Sequence, residues 1–212
     1  MKIILALILF FSSVVLADPF KLTKKDIKTI HKSYDTNKIV VRYKRFSKFI
    51  KEAKKFNENK KLIRVNNFIN KIRPEHDSKA QNVTDHWSTP KEFLINGRGD
   101  CEDYAITKYF TLLKIDVKKE KLYFAIVQVK GRPTLHMVLL YFKTPKSIPL
   151  VIDNLSWKVL PLNKRKDLEV KVIFNEIDSH IMKNNYLGQK TIINWGKINK
   201  WEDILKRIDQ KN

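Results

Sequence analysis

The only cysteine of the chain stands where a thiol could act as a nucleophile. Cys101 follows a glycine turn at residues 97–99 and lies at the start of a predicted helix from Asp100 to Leu113. A helix N-terminus favours negative charge, because its first N–H groups are unsatisfied and its macrodipole is positive there. The position therefore predicts a thiol of lowered pKa, with backbone N–H groups nearby that could stabilise an oxyanion. A small buried side chain is the alternative for a lone cysteine.

A thiol nucleophile needs a base, and among the five histidines only His136 lies inside an apolar segment that predicts a strand. Its imidazole must face a partner or a cleft, unless it lies on a solvated face of that strand. Asp153 ends the next apolar segment, and with Asn154 it would also suit a turn. If strands 135–142 and 149–155 pair as a hairpin, Asp153 could orient the imidazole of His136 and fix its tautomer. The sequence thus offers a nucleophile, a base and an orienting acid.

Three carboxylates surround the cysteine in the sequence, those of Asp100, Glu102 and Asp103. They could simply cap and begin the helix, because acidic side chains favour its first turn. Three negative charges beside a thiol oppose thiolate formation, however, and a bound cation would remove that conflict. Calcium takes clustered carboxylate and carbonyl oxygens, so this segment also suggests a calcium site that carbonyls from another loop would complete.

The elements that must position these residues are predicted to run from helices to strands. Amphipathic helical spacing covers residues 20–72, and Thr89 with Pro90 begins a short helix as N-cap and first residue. Strands are predicted at 122–129, 135–142 and 150–154, with further candidates at 157–160 and 170–174, before a closing helix at 195–208. Helices followed by an antiparallel sheet indicate an α+β fold.

The first 17 residues predict a cleavable export signal. Lys2 precedes an apolar run at 3–16 that is too short for a comfortable membrane span, and Val15 and Ala17 fit the small-residue rule at a cleavage site. An uncleaved anchor is the alternative. We expect a soluble mature protein, residues 18–212, exported in a bacterium to the periplasm. It would be one domain, with a helical part at about 20–73, a catalytic core at about 84–180 and a C-terminal helix at about 195–208.

The composition excludes several classes of protein. A single cysteine excludes an intramolecular disulfide framework and multi-cysteine zinc or iron–sulfur sites. Lys and Arg together number 43 against 22 Asp and Glu, which gives a formal net charge of +21. The excess is mostly Lys spread along the whole chain, without an Arg-rich block or an RNA-binding signature, so nucleic acid is not an expected partner.

The motifs resemble those of the bacterial transglutaminase-like cysteine proteinases, whose best-known branch is the LapG-type periplasmic adhesin protease. The resemblance covers residues 40–180 roughly and rests on WSTPKEFL at 87–94, GDCEDYA at 99–105, KY at 108–109, LHMVL at 135–139 and IDN at 152–154. It implies a papain-like or transglutaminase-like core, in which a helix carrying the cysteine packs on an antiparallel sheet carrying the histidine and the aspartate. Carried over residue by residue, Cys101 is the nucleophile, His136 the base and Asp153 the orienting acid. The acids that flank the cysteine are calcium ligands in that family.

The resemblance also implies an activity and partners. The implied activity is calcium-dependent cleavage of a large cell-surface adhesin near its N-terminal retention module. The implied partners are that adhesin and an inner-membrane receptor that sequesters the protease when cyclic-di-GMP is high. Cleavage of this kind controls adhesin release and biofilm dispersal. The Lys richness and the basic N-terminal helices are not part of the family pattern. Two alternatives stay open: a transglutaminase-type acyl transferase, in which an amine replaces water as the acceptor, and a non-catalytic periplasmic binding module.

Overall fold

The computed structural model describes residues 17–75, 86–196 and 199–209. Its helices are α1 (Lys24–His31), α2 (Thr36–Ala53), α3 (Glu58–Ile69), α4 (Pro90–Asn96), α5 (Cys101–Lys114) and α6 (Lys200–Asp209). Its strands are β1 (Arg73–Pro74), β2 (Arg98–Gly99), β3 (Leu122–Val129), β4 (Leu135–Tyr141), β5 (Leu150–Ile152), β6 (Leu160–Pro161), β7 (Leu168–Phe174), β8 (Ser179–Lys183) and β9 (Tyr186–Thr191). The predicted signal peptide lies outside the described residues, except for Ala17. No helix within the described ranges is long and apolar enough to cross a membrane.

Strands β3 to β9 form one antiparallel sheet in the order β6-β5-β4-β3-β7-β8-β9. Side chains alternate across it, because successive residues of a strand point to opposite faces. On β3, Phe124 packs with the helices, whereas Tyr123 and Ala125 pack in a second cluster on the other face. Both faces of the central strands are therefore buried, which explains why β3 and β4 are apolar at nearly every position.

Helix α5 is the central helix of the molecule. Its residues from Glu102 to Leu112 are buried, since the helix contacts β4 on one side and α3 and α4 on others. Helix α2 presents a narrower apolar stripe that includes Phe46 and Phe49, as expected for a helix with one solvated face. The chain thus has the predicted α+β fold, with the N-terminal helices and the cysteine-bearing helix packed on an antiparallel sheet.

The structure differs from the predicted elements near the C-terminus. The final helix begins at Lys200 rather than near Trp195, and Gly196 has a positive φ of 70° before it. The strand expected at 157–160 is reduced to Leu160–Pro161, because a turn after Asp153 occupies the preceding residues. Strands β8 and β9 had no clear alternating pattern, since most of their residues are exposed or half-buried; β9 is the edge strand and β8 lies beside it.

Candidate active site

A short helix and a two-residue strand fix the chain just before the cysteine. Helix α4 begins at the predicted N-cap, Thr89. Thr89 and Glu92 form a capping box there, in which each side chain accepts the other's backbone N–H, and the helix ends at Gly97 with a left-handed φ of 67°. Strand β2 follows at once and pairs in parallel with β1. Cys101 is then the first residue of α5, as predicted, and its side chain is half-buried.

The structure brings His136 and Asp153 together. Strands β4 and β5 pair as the predicted hairpin, with Leu139 opposite Ile152, so the two polar residues lie at the same end of it. The His136 Nε2 and Asp153 Oδ1 atoms are 2.8 Å apart, and both side chains are buried. The backbone N–H of Leu155 also donates to Asp153 Oδ1, at 2.9 Å. The carboxylate can therefore hold the imidazole in a fixed orientation and tautomer.

A second side chain, that of Arg165, holds the same carboxylate from the other side. Arg165 Nη2 donates to Asp153 Oδ2 at 2.8 Å and to Asp167 Oδ2 at 2.7 Å. Burial by itself raises the pKa of Asp153, but its hydrogen bonds with His136, the N–H of Leu155 and Arg165 outweigh burial and lower the pKa to about 2. Asp153 is thus ionised at any physiological pH. Sequence reasoning missed Arg165, because one Arg within a Lys-rich segment gives no signal of its partner.

The thiol of Cys101 lies beside β4. The backbone of Met137, the residue after His136, forms a hydrogen bond with the Cys101 thiol. The start of α5 therefore meets the sheet within one residue of the histidine. The structure thus gathers the predicted nucleophile, base and orienting acid into one region, although their catalytic roles stay predictions.

The prediction that the thiol pKa is lowered is wrong. Burial raises the pKa of Cys101, and the charge of Glu102 raises it further, because the Cys101 Sγ donates to Glu102 Oε2 at 3.0 Å. The hydrogen bond with Met137 lowers the pKa, but by less. The position at the start of a helix is outweighed by desolvation and by the neighbouring carboxylate.

The acidic residues around the cysteine fit a calcium ion in part. Burial raises the pKa of Glu102 to about 8, and the next largest cause is the charge of Asp100, so the buried carboxyl of Glu102 lies near the half-buried carboxyl of Asp100. Such a pair of oxygen donors suits a hard cation. Asp103 is engaged elsewhere, since its Oδ1 accepts the backbone N–H of Ser88 at 2.7 Å. Across the described ranges, no three His, Cys, Asp or Glu side chains converge as a metal site, so further oxygens would have to complete the shell.

Helix α3 braces the loop that carries Asp153. Asn70 Nδ2 donates to the Asp153 carbonyl at 2.9 Å, and Asn66 Nδ2 donates to the Ser156 carbonyl at 2.8 Å. The fully buried Lys108 of α5 donates from Nζ to Asn66 Oδ1 at 2.8 Å, and its burial lowers the pKa of Lys108 to about 7. Sequence reasoning missed this network too, although a lysine next to the apolar stripe of α5 is a signal for it.

Comparisons with known proteins match the part of the chain that contains these residues. The family model described as bacterial transglutaminase-like cysteine proteinase, BTLCP, matches residues 40–171. The structure of calcium-bound LapG from Legionella pneumophila is 32% identical to the chain, with a TM-score of 0.68, and the alignment covers 86% of this chain and 98% of that one. EGTA-treated LapG from the same organism is also 32% identical, with a TM-score of 0.69, over 86% of this chain and 97% of that one. No curated protein matches the chain.

Proposed function

The chain belongs to the bacterial transglutaminase-like cysteine proteinase family, and on that premise we propose that it is a calcium-dependent periplasmic endopeptidase that cleaves the N-terminal region of a large surface adhesin. One observation carries the proposal. The buried pair of His136 and Asp153, 2.8 Å apart, lies at the end of β4 where the thiol of Cys101 meets the backbone of Met137. A nucleophile, a base and an orienting acid on three different elements are the parts that a cysteine peptidase requires.

In the proposed mechanism, His136 takes the proton of Cys101 as the thiolate attacks the peptide carbonyl carbon. Backbone N–H groups at the start of α5 stabilise the tetrahedral oxyanion. His136 then protonates the leaving amine, and water hydrolyses the thioester that remains on Cys101. Asp153 keeps the imidazole in place and stabilises its charged form. The proton either moves to His136 as the thiol attacks, or has already moved there so that Cys101 and His136 rest as an ion pair.

The calcium ligands that we propose are Asp100 and Glu102, with Asp103 as the third acid of the predicted set. When bound, calcium would offset the negative charge beside the thiol and so favour the thiolate. The raised pKa of Glu102, about 8, supports the first two, because the charge of nearby Asp100 helps to raise it and a bound cation would relieve that repulsion. The solved LapG structures of Legionella pneumophila include calcium-bound and EGTA-treated forms, which is consistent with this proposal.

Localisation and partners follow from the predicted export signal and the family. We propose that residues 1–17 direct the chain to the periplasm and are removed there. In the periplasm the adhesin would be the substrate, and its release would disperse the biofilm. An inner-membrane receptor that responds to cyclic-di-GMP would sequester the protease.

The test uses the mature chain, residues 18–212, and the N-terminal region of a large adhesin from the same genome. Cleavage is followed on a gel with calcium, with EGTA, and with Cys101→Ala, His136→Ala and Asp153→Asn variants. We expect cleavage only when calcium and all three side chains are present, and mass spectrometry should find hydrolysed products rather than cross-links. Cross-linked products would favour the acyl transferase. Calcium binding measured by calorimetry should weaken in Asp100→Asn, and its absence from the wild type would reject the metal proposal.

A further inference from the structure

A strongly basic groove lies beside the turn that leads to Cys101. It has a volume of about 420 Å³ and runs between α2, the end of α3, β1 and Gly97. Five cationic side chains line it: Lys38, Arg42, Arg45, Lys71 and Arg73. None of the described residues that line it is acidic. A concave site with charges of one sign attracts ligands of the opposite sign.

Arginine distinguishes this groove from the rest of a lysine-rich surface. The chain has only eight Arg among its 43 basic residues, and three of the eight line the groove. A fourth, Arg98, stands directly opposite Arg73 where β1 pairs with β2. Arg presents a planar fork of donors that matches a carboxylate, whereas Lys presents a single point charge. The general lysine bias of the chain therefore does not account for this cluster.

Two of these arginines are available to a ligand. Arg42 is half-buried and donates from Nη1 to the carbonyls of Leu94 and Ile95, so it belongs to the scaffold. Arg45 and Arg73 are both exposed, and neither forms an ion pair with any residue that the structure describes. Two guanidinium groups that form no ion pair within the described ranges are, at one groove, the donors that an acidic chain would bind.

The position of the groove relates it to the proposed cleavage site. Gly97, which lines the groove, is four residues before Cys101, so their Cα atoms are at most about 15 Å apart, since consecutive Cα atoms are 3.8 Å apart. An extended peptide spans that distance in about five residues. The half-buried Phe68 and Ile72 form part of the groove wall, and apolar walls suit polypeptide side chains better than a bare anion.

We propose that this groove binds an acidic segment of the polypeptide that is cleaved at Cys101. The inference rests on the proposed peptidase function and adds a substrate preference to it. The preferred substrate therefore carries Asp or Glu a few residues away from the cleaved bond.

A binding experiment tests the groove without depending on cleavage. The probe is a fluorescein-labelled ten-residue peptide of alternating Glu and Ala, and its Gln counterpart is the neutral reference. We expect the double variant Arg45→Glu/Arg73→Glu to bind the Glu peptide about tenfold more weakly than the wild type at low salt. Arg64→Glu/Arg132→Glu makes the same charge change at exposed residues outside the groove and should alter binding less than about twofold. An equal loss in both double variants would overturn the proposal, because binding would then follow net charge alone.

A second readout links the groove to the cysteine. The same Glu and Gln peptides, each carrying a terminal chloroacetamide, alkylate Cys101 when the thiolate displaces chloride, and intact mass records the rate. We expect faster labelling by the Glu peptide in the wild type and in the Arg64→Glu/Arg132→Glu control, and equal rates for both peptides in the groove variant. Equal rates in the wild type would overturn the link to Cys101. If the wild type, the groove variant and the control variant cleave the adhesin equally well, the peptidase function stands and the proposed role of the groove is wrong. If binding depends on the groove but no form cleaves the adhesin, the peptidase function is wrong and the groove is only a site for acidic peptides.

Discussion

Replacing Arg165 tests whether the orienting aspartate needs a second partner besides His136. Arg165 and Asp153 are 7% and 1% exposed, and Arg165 Nη2 lies 2.8 Å from Asp153 Oδ2. Arg165→Met keeps a long apolar stem but removes the charge and the donors. The buried carboxylate would then retain only His136 and the N–H of Leu155 as hydrogen-bond donors.

The expected cost follows from burial and from the partners that remain. Removing one partner of a buried ion pair costs about 3–5 kcal/mol. Asp153 keeps two donors, so we expect a loss of about 2–4 kcal/mol of unfolding free energy at pH 7. The variant also lacks a bond that helps to lower the pKa of Asp153 to about 2. A depressed carboxyl pKa contributes stability above the unfolded value near 4, and that contribution is lost as pH falls through about 2. The difference between wild type and variant should therefore shrink between pH 4 and pH 2.

The assay is urea unfolding followed by tryptophan fluorescence at pH 7, 4 and 3, together with the rate of adhesin cleavage. We expect kcat/KM for Arg165→Met to fall about tenfold or more, since a loosened Asp153 no longer fixes His136. Asp167→Asn is the matched control, because it alters only the outer partner of Arg165. The side chain of Asp167 is 48% exposed, so this change should lower the free energy of unfolding by less than about 1 kcal/mol. If Arg165→Met is as stable and as active as Asp167→Asn, then His136 and Leu155 suffice to hold Asp153, and this reasoning fails.

Three further predictions concern the supports of the site. Because the pKa of Lys108 is about 7, the native protein binds fewer protons than the unfolded chain between pH 7 and about 10. The free energy of unfolding should therefore rise with pH in that range. Lys108→Met should make the rise in the urea midpoint shallower than a variant of an exposed lysine does. Gly97→Ala should lower the free energy of unfolding by about 1–2 kcal/mol more than Gly131→Ala. Both glycines have a positive φ, but only at Gly97 would a Cβ meet the Arg42 guanidinium, at 2.0 Å. Urea unfolding of both variants checks this. Asn70→Ala should lower kcat severalfold with little change in KM, since it frees the backbone carbonyl of the residue that orients the base; an unchanged kcat would contradict that role.

The parts of this molecule that sequence could predict depend on local rules. The helix start at Thr89 and Pro90 is a capping signal, and the hairpin that joins His136 to Asp153 follows from two short apolar runs separated by a turn. The α+β order follows from the change in hydrophobic period after Lys119. Each of these features is decided by residues within a few positions of one another, so composition and spacing are enough to find them.

The features that sequence could not predict depend on contacts between distant residues. The pairing of Arg165 with Asp153 is invisible among neighbouring lysines, and Asn70 reaches Asp153 across 83 positions. The thiol pKa was predicted in the wrong direction for the same reason. A helix start is a local feature and favours the thiolate, but the burial that outweighs it is set by the packing of the whole domain around Cys101. Local patterns therefore locate the reacting groups, whereas tertiary packing sets their protonation.

The nucleophile and its base lie on different layers of the fold, so something must fix the layers relative to each other. Cys101 begins helix α5, while the base and its orienting acid belong to the sheet and the loop after β5. Helix α3 touches both. Asn66 accepts from Lys108 of α5 through its oxygen and donates to the Ser156 carbonyl through its nitrogen, so one buried amide joins the two layers. Losing one of these hydrogen bonds would lower the free energy of unfolding, because the polar group left without a partner is away from water. The burial of a lysine with a pKa near 7 is therefore reasonable in this fold, since its Nζ donates to the amide that aligns the cysteine helix with the loop of the orienting acid.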